Sequence, residues 1–196
     1  MSRFFSLLVL AAVVTFGAVA QTSWKVDPSH SNVRFTVKHL GISNVSGTFR
    51  SFSGAIAQTD KAKGFDGATI DVAIETKSIN TDNDNRDNHL RSADFFEAEK
   101  YPSITFKNAV LKKGKNNTYS VTGDLTVKDI TKKVTFEVAL LGEMPGFDGK
   151  MRTAFTGSTT VNRFDYNLKW ANALSNNTLV VGADVKVDLD IQLVAQ

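Results

Sequence analysis

The chain has 196 residues, no cysteine and a formal net charge of only +3. That small surplus is not gathered into a Lys/Arg stripe, which excludes nucleic acid as a partner. Without cysteine there is neither a disulfide framework nor the lipid-modified cysteine of a bacterial lipoprotein, so burial and hydrogen bonds must hold the fold.

Residues 1–20 read as a signal peptide. Arg3 gives a positive start, and an apolar run follows from Phe4 to Val19, broken only by Ser6, Thr15 and Gly17. Ala18 and Ala20 form the small-x-small pattern of a cleavage site. The run is short for a span of about 20 residues, so cleavage after Ala20 is expected, with export to a periplasm and no stable membrane span afterwards. Residues 21–196 are then one domain, long enough to bury a core.

From residue 31 onward the chain alternates with period two. Val33, Phe35 and Val37 alternate with polar neighbours, as do Ile70, Val72 and Ile74, and then Val134, Phe136 and Val138. The pattern predicts eight strands, at 31–39, 45–58, 68–76, 103–111, 118–127, 132–141, 152–161 and 179–194. In the second, the apolar phase slips between Phe49 and Phe52, which predicts a bulge near Arg50 and Ser51. The last strand is apolar at every second position from Leu179 to Leu193. Its length of roughly 50 Å demands that it coil around something. Turn signals at Lys63-Gly64, Gly114–Asn117, Lys128-Asp129 and Pro145–Gly149 separate strands. The polar stretch from Thr81 to Tyr101, ending before Pro102, predicts one or two short helices with Ser92 as an N-cap. The expected fold is all-β, an eight-stranded antiparallel barrel capped by those helices. Closure removes exposed edges; a two-sheet sandwich is the alternative, and the long, uneven strands favour the barrel.

Nucleophilic and metal chemistry have little to stand on. There is no Gly-x-Ser-x-Gly elbow, and His30 and His39 would face opposite sides of one strand. The run from Asp82 to Asp87 fails as a calcium loop, with Arg86 at a ligand position and Ala93 where a glutamate is needed. No catalytic residue, metal or cofactor is therefore expected.

Several motifs resemble the YceI-like family of exported bacterial proteins. They are Trp24-Lys25-Val26-Asp27-Pro28-Ser29-His30-Ser31, Phe35 to Ile42, Asn85 to Phe96, Tyr101 to Phe106, Gly123 to Val127, and Asn162-Arg163-Phe164-Asp165. Asp129 and Asn167 depart from the pattern, standing where glycines are common; both residue types tolerate positive φ. The resemblance implies a lipocalin-like barrel that binds a polyisoprenoid or similar long amphiphilic lipid in its pore, as a periplasmic carrier and not an enzyme. An isoprenoid-modifying enzyme or accessory subunit, or an envelope interaction protein with a solid barrel, is the alternative. Beyond the lipid, the partners left open include a second copy in a homodimer.

In a barrel the core and the pocket share one inward face. The candidate ligand contacts are therefore Phe35, Val37, Val72, Ile74, Phe106, Phe136, Phe155, Val185 and Val187. Trp170 is the tenth candidate contact, and it and Trp24 are expected at a mouth, where an indole has one wet and one dry side. Arg86, His89 and Arg91 are head-group candidates; their competing role is to cap helices or pair with Asp87 and Asp94.

Overall fold

The computed structural model describes residues 22–58 and 60–196, so the expected signal peptide lies outside the described residues. The alternating segments form eleven β-strands: β1 (Thr22–Val26), β2 (Asn32–His39), β3 (Ser43–Phe49), β4 (Phe52–Gln58), β5 (Thr69–Glu75), β6 (Ile79–Asn80), β7 (Ser103–Lys113), β8 (Thr118–Val127), β9 (Ile130–Pro145), β10 (Met151–Asn162) and β11 (Val181–Ala195). One α-helix, α1 (Asp84–Arg91), lies between β6 and β7.

These strands make eight staves of a closed antiparallel barrel. β1 and β2 are one stave, interrupted by a 3₁₀ turn at Pro28–His30, because both pair with β11. β3 and β4 are the second, β3 lying on β2 and β4 on β1. The break between them falls at Arg50 and Ser51, and Phe49 and Phe52 both face the interior across it, so the predicted phase slip is real. β5, β7, β8, β9 and β10 follow in order, and β11 closes the ring. Closure satisfies the backbone groups that an open sheet would leave at its edges.

The two faces of the wall follow the alternation. On β5, exposed residues alternate with partly buried Ile70, Val72 and Ile74. The outer face carries cross-strand hydroxyl pairs, Thr122 with Thr135 and Thr126 with Thr131, each at 2.8 Å. Gly47 is obligatory on β3: a Cβ there would lie 2.5 Å from the Phe35 ring and 2.8 Å from the Asn80 carbonyl oxygen.

Four local expectations change. Thr22–Val26 is a strand that the alternation did not reveal, because Asp27–Ser31 interrupts the stave after only two inward residues, Trp24 and Val26. Ser92 closes α1 instead of opening a helix, its hydroxyl donating to the His89 carbonyl. The N-cap is Asn83, whose side chain accepts from the Arg86 N–H at 2.9 Å; Asp84 and Asp87 in the first turn suit the helix dipole. In the β8–β9 turn, positive φ falls on Lys128 (56°), whereas Asn167 does adopt the left-handed region (58°). Finally, β11 starts at Val181; Leu179 instead bridges to Ala173 within the preceding loop. Among the described residues no helix is long and apolar enough to cross a membrane.

Candidate ligand-binding pore

The barrel encloses a cavity of about 250 Å³. That exceeds the roughly 150 Å³ apolar void known to hold benzene and approaches the lower end of ligand pockets, about 300 Å³. Its wall is built from rungs of facing side chains. Phe35 pairs with Val187 and Val37 with Val185 across β2 and β11. Val72 faces Phe106, and Ile74 faces Ile104, across β5 and β7. Phe136 lies across from Val121, and its ring stands 5.4 Å from that of Phe106. With Phe155 on β10, the structure brings nine of the ten apolar candidates to the cavity wall.

Trp170 is the exception. It packs behind the wall on Phe95 (5.6 Å) and His89 (5.7 Å). The residues that close this end are Leu90, Phe95 and Phe96, carried in by α1 and the turns after it, with Tyr166 and Leu168 beside them. Phe96 meets Phe49 edge-on at 6.0 Å.

Trp24 is not at a mouth either. It is 4% exposed and belongs to the floor at the opposite end. Its indole N–H donates to Gln58 Oε1 at 3.2 Å, and Gln58 in turn donates to the Gly64 carbonyl at 2.6 Å. This clamps the β4–β5 loop so that Phe65 inserts beneath the cavity, with ring centroids 5.5 Å from Trp24 and 5.2 Å from Phe155. The sequence signal for Phe65 was weak, because a lone phenylalanine between two turn glycines shows no periodicity.

The three head-group candidates are not on the wall. Arg86 donates to the Thr81 hydroxyl and carbonyl at 2.7 and 2.8 Å. Arg91 donates to the carbonyls of Lys77 and Ile79 at 2.8 and 2.7 Å. His89 pairs with Asp94 at 2.9 Å. Asp87, 1% exposed, accepts from the N–H and hydroxyl of Thr81. Arg86, Arg91 and Asp87 fasten α1 to the segment that enters it, a role not foreseen for the arginines; of the pairings weighed for the three candidates, the structure forms His89 with Asp94.

One polar residue on the wall was not singled out from its motif. Arg163 is 3% exposed and borders the cavity. It donates to the carbonyls of Gly182 (2.8 Å), Val181 (2.9 Å) and Leu168, tying the β10–β11 loop to the start of β11. Burial pushes its pKa down from the ordinary guanidinium value. The other polar side chains bordering the cavity are Arg34, Thr156 and Tyr166; Arg34 and Thr156 are held outward by Asp190. Among the described residues no group of three or more His, Asp or Glu side chains could hold a metal ion.

A closed eight-stave barrel with an apolar bore, plugged by aromatic rings at both ends, defines a lipocalin-like binding barrel. The sequence model of the YceI-like domain matches residues 24–193, and the chain belongs to that family. It is 36% identical over 155 residues to protein YceI of Escherichia coli, covering 78% of this chain and 80% of the relative. The crystal structure of the Campylobacter jejuni YCEI protein is similar, with a TM-score of 0.68 and 32% identity over 80% of this chain and 88% of that one. A polyisoprenoid binding domain from Saccharophagus degradans, implicated in plant cell wall breakdown, shares the fold with a TM-score of 0.65 at 19% identity, covering 88% of this chain and 98% of the other.

Proposed function

We propose that this protein is a periplasmic carrier that holds the tail of a long apolar lipid, of polyisoprenoid or similar amphiphilic type, in the barrel bore. The observation that carries the reading is the bore itself: rungs of valine, isoleucine and phenylalanine surround a cavity whose two bordering arginines, Arg34 and Arg163, are bonded to Asp190 and to backbone carbonyls. Such a surface gains about 0.8 kcal/mol for each methylene it takes from water, so one isoprene unit contributes about 3–4 kcal/mol before ordering costs. The relative named for polyisoprenoid binding supports the class of tail. The leader-like apolar run ending in Ala18-x-Ala20 supports export. No Asp, Glu or His side chain borders the cavity, which favours binding over catalysis. The head group stays outside the wall at the α1 end, where His89 is the exposed member of the three candidates.

Native mass spectrometry with lipid extraction, on protein recovered from its own periplasm, tests this. The mature chain is expected to begin at Gln21 and to carry one long-chain lipid. Stripping the lipid should lower the melting temperature, because a ligand that binds only the native state stabilises it. A chain recovered empty, whose melting temperature is unmoved by added polyprenol, would overturn the reading.

A further inference from the structure

We propose that the β9–β10 hairpin is a membrane-docking tip that seats the protein on an anionic bilayer surface. This goes beyond the carrier reading and does not depend on what the bore holds. β9 outruns its neighbour: its last link to the β7–β8 turn is the Leu140 N–H donating to the Asn117 carbonyl at 2.9 Å. Beyond that point Leu141–Pro145 is paired only to β10, which itself stays on β11 as far as Arg152, so β9 has a free edge there and the tip, residues 146–151, stands beyond the rim. Leu141 is the extra residue of a bulge between the Ala154–Gly142 and Phe155–Leu140 pairs, which bends the strand locally and leaves the Leu141 side chain exposed.

The overhang is apolar where it has no reason of its own to be. Leu141 is 66% exposed, Met144 71%, Met151 37%, and Phe147, at the tip, is fully exposed. These are four of the seven large hydrophobic residues exposed among the described residues, gathered within eleven positions, so they form a patch and not a scatter. The tip is also held in shape. Gly146 and Lys150 are joined by a 2.9 Å backbone hydrogen bond, and Arg152 reaches across to Asp148 at 2.7 Å.

Charge selects the occupant. The hairpin and the adjoining β7–β8 turn, residues 141–152 and 112–118, carry five basic side chains against two acidic ones, Glu143 and Asp148. Lys112, Lys113, Lys115 and Lys150 are exposed, and among the described residues none has a carboxylate partner. Apolar side chains at an apex with lysines around them match an interface in which tails take the apex and anionic head groups take the ammonium groups. A second copy fits less well: a two-fold contact through this tip would bring the two sets of lysines together. The bilayer meets the floor end of the barrel, opposite the α1 end where the proposed head group sits, so the contact concerns residence at the membrane.

Vesicle flotation of the purified leader-free chain is the test, since the barrel lies within residues 22–196. The protein should float with phosphatidylglycerol–phosphatidylethanolamine vesicles, stay behind with pure phosphatidylcholine, and be released by salt. Phe147→Glu should weaken binding about tenfold or more. Replacing Lys113 and Lys115 together by Gln should weaken it about 25-fold, roughly fivefold for each charge. Both variants should keep the wild-type denaturation midpoint and lipid occupancy, because these side chains lie outside the bore; a cargo-free wild type would sink the carrier reading alone. No flotation of the wild-type chain, equal flotation on phosphatidylcholine, or unchanged binding by Phe147→Glu would each refute the docking tip. So would a dimer in light scattering that Phe147→Glu dissolves, since the face would then belong to a second copy.

Discussion

Truncating Phe65 to alanine tests the floor of the bore. The ring is fully buried and lies edge-on to Phe155 at 5.2 Å and tilted to Trp24 at 5.5 Å. A buried phenylalanine cut to alanine costs about 3–5 kcal/mol, and losing two aromatic pairs, each about 0.5–1.5 kcal/mol, places Phe65→Ala near 4 kcal/mol. A domain of ordinary stability, about 5–15 kcal/mol, survives that loss. At about 2–4 °C per kcal/mol the melting temperature should fall by roughly 8–16 °C. The void left behind adjoins Phe155, which lines the cavity, so the floor drops and the bore deepens. A cargo tail longer by three methylenes should then recover about 2 kcal/mol in the variant and nothing in the wild type, whose floor is solid. Thermal unfolding with polyprenols of graded length, beside native mass spectrometry, measures both effects. A loss below about 1 kcal/mol, or a longest polyprenol that stabilises both proteins equally, refutes the assignment of Phe65 as floor.

Two further outcomes follow from the same geometry. Val185→Phe adds a ring to the rung shared with Val37, and should block cargo in a folded protein; if the site were solid core, overpacking would instead cost about 1–3 kcal/mol first. Lys186→Glu on the outer face loses the pair with Asp188 and sets a second carboxylate beside it in solvent, a small cost of about 1 kcal/mol, and full lipid occupancy in a stable Val185→Phe protein would contradict the bore at that position. For pH, the Asp27 carboxyl is held below its ordinary value of 3.8, chiefly by the hydrogen bond to His30 and further by the Ser29 N–H and Gln192, against desolvation. A carboxyl whose folded pKa is depressed adds stability that is complete above its unfolded value and is lost as pH falls through the folded one. Urea midpoints should therefore drop below about pH 4, and less steeply in Asp27→Asn; identical acid slopes would remove Asp27 from the account.

Much of the barrel is written in the chain because a half-buried strand leaves a period-two trace that needs no knowledge of its neighbours. Val33, Phe35 and Val37, or Val185 and Val187, declare their inward face locally, and a wall made of such strands has to close. The slip between Phe49 and Phe52 even located a break within a stave. What the chain could not declare is which aromatic residue is wall, floor or roof. The residues next to Trp24, Phe65, Phe95 and Trp170 in sequence do not state how deep each ring lies. Their depth depends on staves and loops far away in the chain, as when Gln58 clamps the loop that carries Phe65 under Phe155. The partners of the arginines were hidden for a related reason. Arg91 and Arg163 make most of their side-chain hydrogen bonds to backbone carbonyls, and Arg86 one of its two; every residue has that group, so no residue pattern marks the acceptor. Side-chain alternation fixes a face; only the closed tertiary structure brings a particular carbonyl or ring to it.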